Sequence, residues 1–482
     1  MYTKHISKWK FLLYQLIVVA CFLFVLVAKS SASIVNSSTD LGGKYEYILN
    51  AEGKAPCSNH HEQISLDTPW AKAYNALDTD IAVSIQQTSD GGYIIAGTTM
   101  SYSAGNYDVL VMKLDATGNI LWQKAFGGIN DDSANSVQQT SDGGYIVAGR
   151  TNSFGEGSDD LLVIKLNAIG NILWRRTFGG INNDSAGSVM QTSDGGYIVA
   201  GRTDSYGAGD YDVLVIKLNS TGNILWRRTF GGINNDSAGS VMQTSDGGYI
   251  IAGYTYSYGA GDYDVLVIKL NSTGNILWRR TFGGINAEFY GSRIEQTSDG
   301  GYILGVETNS YGAGSYDVLI IKLNATGNIL WRRTFGGTDW DFFYSVQQTS
   351  DGGYFIAGAY NTYYFDVLAI KLDATANIQW RRTFGGTNDD VAHSAQQTSD
   401  GGYIVAGYTG CPGYGDCDIL ILKFDANGNI PGCSMKAPNL SISAPGISVT
   451  APAIGASAPS MTVTAPSLIT TDPEIGTTDI CP

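Results

Sequence analysis

Histidine is nearly missing from this chain. Four histidines stand in 482 residues, and only His393 falls within the repeated part, which removes histidine-dependent catalysis and His-rich metal sites as readings. His60 and His61 are neighbours in a polar stretch with no other His or Cys cluster near them, the pattern of a solvated pair. No CxxC pair, GxSxG elbow, Walker loop or dinucleotide fingerprint stands in the strand context that would give it meaning. Cationic side chains are also short: 29 Lys and Arg face 44 Asp and Glu, a net charge of -15, which argues against nucleic acid as a partner. Helical patterning is absent as well, since no window carries an apolar i, i+3, i+4 stripe.

What is present is repetition. A 52-residue unit, cleanest from Trp174 to Leu225, recurs seven times, with its Trp at Trp70, Trp122, Trp174, Trp226, Trp278, Trp331 and Trp380. Its DGGY turn begins at Asp90, Asp142, Asp194, Asp246, Asp299, Asp351 and Asp400. A fixed period of this length means a solenoid, propeller or array. Within a unit the apolar period is two, and four strand-like segments (NILWRRTF, SVMQT, GYIVAGRT, DVLVIKL) are joined by short Gly/Asp-rich turns. Four short antiparallel strands repeated radially predict an all-β, seven-bladed β-propeller of four-stranded blades over residues 66–431. At the far end Pro431 and Gly432 replace the Leu and Trp of the other copies, so the last blade lacks its own outer strand and the N-terminal Trp70 strand is expected to complete it.

The flanks differ in composition. Residues 1–32 carry three lysines ahead of an 18-residue apolar run, Phe11 to Ala28, with small residues at a cut after Ala32. A cleaved signal peptide, a retained membrane anchor and a lipid-modified Cys21 are the three readings, and all export the protein to a secreted, periplasmic or cell-surface location. Residues 33–65 read as an irregular linker. Cys411 and Cys417, six apart in the last unit, are expected to form a disulfide, and Cys57 and Cys433 flank the ring where a second bond would clasp it, with Cys481 competing for the same partner. Residues 432–482 form an Ala/Pro/Ser/Thr-rich tail with Pro438, Pro445, Pro452, Pro459, Pro466 and Pro473 spaced by seven. Proline in every heptad forbids a coiled coil. Extended segments follow, either as a stalk or folded back on the ring.

Two families of residue stand on the face opposite the tight turns. Ten residues after each Trp is an acid: Asp80, Asp132, Asp184, Asp236, Glu288, Asp341 and Asp390. They read either as turn caps or as a ring of carboxylates around the channel mouth, for which Ca²⁺ is the candidate cation. The second loop on that face carries Tyr102, Phe154, Tyr206, Tyr258, Tyr311, Tyr363 and Tyr414 among Gly and Ser, either as a sugar-stacking rim or as loop packing. The two most alike units, from Trp174 and Trp226, differ at three positions, and two of these, Arg202/Tyr254 and Asp204/Tyr256, lie on this face.

SVQQTSDGGYIVAG followed by DVLVIKLDATGNILW is similar to repeats of secreted prokaryotic β-propeller proteins, a resemblance that spans residues 70–430 and implies the fold and export. LDATGNILW, at Leu114 to Trp122, resembles the tryptophan-docking repeat of quinoprotein-type propellers, in which the outer-strand Trp locks neighbouring blades. That implies the docking role for Trp122, Trp174, Trp226, Trp278, Trp331 and Trp380. Quinoprotein rings usually have eight blades, so what carries over is scaffold. The function expected is a binding or scaffolding module for extracellular polysaccharide or a surface protein, held to a membrane only by its N-terminal segment if that is retained. The alternatives are a structural surface-assembly protein and a polysaccharide lyase or glycosidase using Asp/Glu in the funnel. For the enzyme, the residues that break the pseudo-symmetry are Glu288, Arg293, Glu307, Trp340, Asp341 and His393.

Overall fold

Alternating and continuous apolar segments sort themselves into different strands of one blade. In blade three, for example, the strands are Asp184–Gln191, Tyr197–Thr203, Asp212–Leu218 and Ile224–Phe230, hydrogen-bonded antiparallel in chain order. The third strand, DVLVIKL, is buried at every position because a neighbouring blade covers each of its faces, which is why it reads as an unbroken apolar run. A computed structural model describes the ring from Thr68 onward apart from short stretches at 76–77, 289–291, 362, 412–416 and 434, and describes parts of the tail. The expected leader 1–32, the linker 33–65, Cys21, Cys57, His60, His61, Tyr414 and Cys481 lie outside the described residues. Among the described residues no helix is long and apolar enough to cross a membrane.

Seven such sheets form the ring, and closure follows the expectation. Strand Trp70–Asn75 pairs antiparallel with Asp418–Phe424, Trp70 opposite Lys423, and completes the seventh blade. Apolar residues pack between blades: Val213, Val215 and Phe230 of blade three meet Tyr249, Leu266 and Ile268 of blade four. The tight turns are fixed by one recurring lysine. Lys165, buried in a third strand, donates to Asp142 of the DGG turn at 2.9 Å and to the Leu166 carbonyl at 2.9 Å, and the same pair recurs in each blade from Lys113–Asp90 to Lys423–Asp400. The Gly after that Asp, Gly143 in blade two, has φ +78°, the left-handed conformation that keeps Gly there.

Each repeat Trp locks its own blade to the next. Trp174 Nε1 donates to the Ser220 carbonyl at 3.1 Å, its ring lies edge-on to Tyr197 at 5.6 Å, and a methyl on Gly222 would come within 2.9 Å of it. Trp70, Trp122, Trp226, Trp278 and Trp380 make the same ring contact with the next blade's glycine turn, and Trp331 meets Tyr354 in the same way. At that seventh turn Ala376 replaces Gly and adopts φ +67°.

The inner strand is longer than its SVMQT core suggests. It starts at the acid, as in Asp184–Gln191, and the register slips by one residue between Ala186 and Ser188. Gly187 is therefore bulged, and so is His393 in blade seven.

The tail is not a stalk where it is described. Its segments Ser441–Ser443, Ser448–Thr450, Thr462–Thr464, Ile469–Thr471 and Gly476–Asp479 each pair antiparallel with the outer strand of a blade, in the order five, four, two, one, seven. One heptad advances the tail by one blade, and the prolines fall between the paired segments, where no ladder N–H is needed. The tail thus caps sheet edges as a belt running against the chain order of the blades.

Removing residues 437–482 is expected to leave a folded ring with bare outer edges that associates with itself. Light scattering after size exclusion, together with circular dichroism, checks this; a monomeric truncated ring would count against an edge-capping role.

Candidate functional site

The seven expected carboxylates are not on the channel wall. Asp80, Asp132, Asp184, Asp236, Glu288, Asp341 and Asp390 are all buried, at most 4% exposed. They cap loops. Asp184 Oδ2 accepts the Gly180 N–H at 2.9 Å and the Ser205 hydroxyl at 2.6 Å, and Asp132 and Asp236 do the same with Gly128 and Ser153, and with Gly232 and Ser257. Glu288 does the same work with its longer arm: Oε2 accepts the Gly284 N–H at 2.8 Å, and Oε1 accepts the Thr308 hydroxyl at 2.8 Å and the Ser310 N–H at 3.2 Å. The electronegative funnel is corrected to a set of buried caps, because each carboxylate is needed to tie the loop that leads into its strand to the neighbouring loop.

A second carboxylate, unread in the sequence, stands beside each cap at the start of the third strand. Asp212 Oδ2 accepts the Ala208 N–H at 2.6 Å and so closes the glycine-rich loop before it. A methyl on Gly231 would collide with Asp212 Oδ1 and lie 2.8 Å from Asp236 Oδ2, so this glycine is required by the two acids. Burial, with a smaller push from the neighbouring Asp236, raises the Asp212 carboxyl to about 6. Burial likewise raises Asp108 and Asp264 to about 6 and Asp160 and Asp341 to about 7. Among the described residues no group of three or more His, Cys, Asp or Glu stands together to hold a metal, so the seven acids do not converge on the expected Ca²⁺.

The aromatic residues of the second loop are mostly seated rather than presented. Tyr206, Tyr258 and Tyr311 donate to the carbonyls of Gly179, Gly231 and Gly283 at 2.6, 2.8 and 2.8 Å, bridging to the end of the previous blade's outer strand. Phe154 takes the same seat over Gly128, and Tyr102 is half-buried. In blade six the seat over Gly337 belongs to Tyr360, which leaves Tyr363 85% exposed. Cys411 and Cys417 form the expected disulfide. Cys433 is disulfide-bonded too.

What opens at this end of the channel is a cavity of about 560 Å³ lined by Arg150, Arg202 and Arg293, by Ser133, Asn135, Ser185, Ser237 and Ser292, and by Thr98 and Tyr254. No carboxylate is among its lining residues. Of the residues that break the pseudo-symmetry, Arg293 lines this cavity and the others do not. Glu307 is buried against the Phe343 N–H, with its carboxyl pushed up to about 8 by burial. Trp340 is half-exposed and edge-on to Tyr316 and Phe342. His393 packs on Tyr344 at 4.8 Å and Tyr408 at 5.4 Å, and burial pushes it down to about 4, so it is neutral at ordinary pH. The two-carboxylate chemistry of glycoside cleavage thus has no acid pair in the cavity.

The class defined by fold and site is a β-propeller of tandem repeats with a polar, arginine-lined channel mouth. A family described as a domain of unknown function (DUF5122) beta-propeller matches residues 88–120 and 244–276, each a second and third strand with the turn after them. The chain is also similar to the regulatory protein FlaEY of Caulobacter vibrioides, 26% identical over 174 residues, which make up 31% of this chain and 18% of that relative. It is thus aligned with under a fifth of the length of that curated relative. Among solved structures, Sqt1 from Chaetomium thermophilum covers 73% of this chain and 98% of its own length at 11% identity and a TM-score of 0.42. A protein of unknown function from Dyadobacter fermentans covers 74% and 98% at 13% identity and a TM-score of 0.37.

The buried acids predict an unusual pH profile. A carboxyl whose folded pKa lies above its unfolded value of about 3.8 favours the fold in its protonated form. That contribution from Asp108, Asp160, Asp212, Asp264 and Asp341 is complete below the unfolded value and is lost as pH rises through 6 to 7. Asp142 and Asp194 act oppositely: burial opposes ionisation, but Thr140 with Lys165, and Lys217 with Thr192, hold them near 2, so their contribution is lost as pH falls from the unfolded value towards 2. The melting temperature is expected to peak near pH 4, at about the unfolded carboxyl value, and to fall on either side of it. Asp212→Asn is expected to raise the melting temperature most at pH 8, about half as much at pH 5 and scarcely at pH 3, readable by scanning fluorimetry.

Proposed function

We propose that this chain is a secreted or surface-held binding module that takes an extracellular carbohydrate at the loop end of its central channel. The observation that carries this is the cavity itself: a space of about 560 Å³, within the size range of small-ligand sites, lined by residues of five blades. Arg202 and Tyr254, the substitution that separates the two most alike units, both line it. Guanidinium, amide and hydroxyl groups suit a polyhydroxyl ligand, and Tyr254 and Tyr256, packed on Tyr263 at 5.3 and 5.0 Å, supply aromatic surface beside them. Export is supported by the apolar N-terminal run and by the Cys411–Cys417 disulfide, which persists in oxidising compartments.

The test is depletion of the purified full chain by a panel of soluble and insoluble polysaccharides, scoring both retained protein and released sugar. Retention without release is expected, weakened about tenfold in the Asn135→Ala/Tyr254→Ala variant, a loss of roughly 1.4 kcal/mol. Released sugar would replace this reading with an enzymatic one, and no retention by any polysaccharide would end the carbohydrate reading.

A further inference from the structure

The cavity is cationic in a strongly anionic chain. Net charge is -15, and the lysine of every third strand is consumed by its DGG aspartate, yet three arginines line one space that has no carboxylate in its wall. Each guanidinium is braced from one side. Arg150 donates through Nε to the Ser133 hydroxyl at 3.2 Å and through Nη1 to Asp159 at 2.8 Å. Arg202 stacks on the Tyr211 ring at 4.4 Å. Arg293 donates through Nη1 to the Gly239 carbonyl at 2.7 Å. A guanidinium carries five N–H donors in a fixed fork that matches a carboxylate or sulfate edge, and these braces use only part of that set.

The fold does not require an arginine at position 293. Arg293 occupies the inner-strand position held by Ser84, Ser136, Ser188, Ser240, Ser345 and Ser394 in the other blades. Serine serves the ring at that position: Ser84 accepts the Val137 N–H at 3.1 Å and Ser136 accepts the Val189 N–H at 3.2 Å. A long cation in place of that serine, in surroundings whose burial works against its charge, gains most from an anion brought into the cavity. Arg150 and Arg202 likewise stand where blade one has Thr98 and blade four has Tyr254, so neither is demanded by the backbone.

We propose that the ligand of the channel mouth is an acidic saccharide, whose carboxylate or sulfate group is held by Arg150, Arg202 and Arg293 while its hydroxyls meet Ser185 and Ser237. This rests on the carbohydrate-binding reading of the same cavity and adds the charge. The negative exterior repels a long polyanion laid across it, so the acidic unit recognised is a chain end or short oligosaccharide reaching into the mouth.

Calorimetric titration of the full chain with digalacturonate, its dimethyl ester and a sulfated disaccharide tests this. The expected result is that at least one acidic probe binds about tenfold or more tighter than the neutral ester and weakens as salt is raised. Tight binding of digalacturonate alone assigns a uronate, and of the sulfated probe alone a sulfate ester. The variant Arg150→Thr/Arg202→Thr/Arg293→Ser carries only residues that other repeats already use at these positions, so it is expected to keep its melting temperature and to lose the preference for the acid. Equal binding of acid and ester, or an unchanged preference in the variant, overturns the anionic assignment while leaving carbohydrate binding standing. Failure of every probe here and of every polysaccharide in the depletion panel overturns both.

Discussion

A blade of four antiparallel strands has two raw edges, and the rest of this structure depends on how those edges are closed. On the inner edge the unpaired N–H groups are taken by side chains of adjacent blades. Ser84 and Gln86 accept from Val137 and Gln139, Ser136 and Gln138 accept from Val189 and Gln191, and Ser394 and Gln396 return the chain of bonds to Ile85 and Gln87. The ring is thereby stitched around its axis as well as along its blades. At the outer edge the tail supplies a fifth strand to the described blades that it reaches. Main-chain groups left unpaired at either edge would invite association with other chains.

The same economy governs charge. Most of the acidic repeat residues are spent inside: one carboxylate caps the loop into the inner strand, a second caps the loop into the third strand, and a third holds the buried lysine at the opposite turn. Two acids packed side by side at each blade boundary are tolerable because burial shifts one of them towards its neutral form. Three arginines, Arg150, Arg202 and Arg293, line the channel mouth with no carboxylate among the lining residues, and this gives the mouth a character opposite to that of the chain as a whole.

How much of this was legible follows from which interactions are local. The DGG turn, the docking Trp, the blade count and the closure by the Trp70 strand all came through, because each is a short motif repeated at a fixed spacing. The sequence leaves the seven acids as turn caps or as a channel ring, and the structure gives the caps: Gly180 is four residues from Asp184, but the Ser205 hydroxyl that closes the cap comes from 21 residues on. The aromatic loop residues are likewise left open between a rim and loop packing, and packing prevails because Tyr206 meets the carbonyl of Gly179 on the previous blade's outer strand. Lys217 hides within an apolar strand, although its spacing of 23 residues from Asp194 recurs in every blade but the sixth, where Lys371 and Asp351 are 20 apart.

The sequence by itself determined a closed seven-bladed ring, since period-two strands, glycine turns and a fixed repeat leave few other ways to bury so much apolar surface. It also determined that the tail advances by sevens, because proline marks every step where no ladder bond can form. Only the tertiary structure decided that those steps fall one to a blade, that the acids turn inward, and that Arg150, Arg202 and Arg293, spread over more than 140 residues, share one cavity. Contacts between repeats depend on the radius and tilt at which the ring closes, and those are properties of all the blades together.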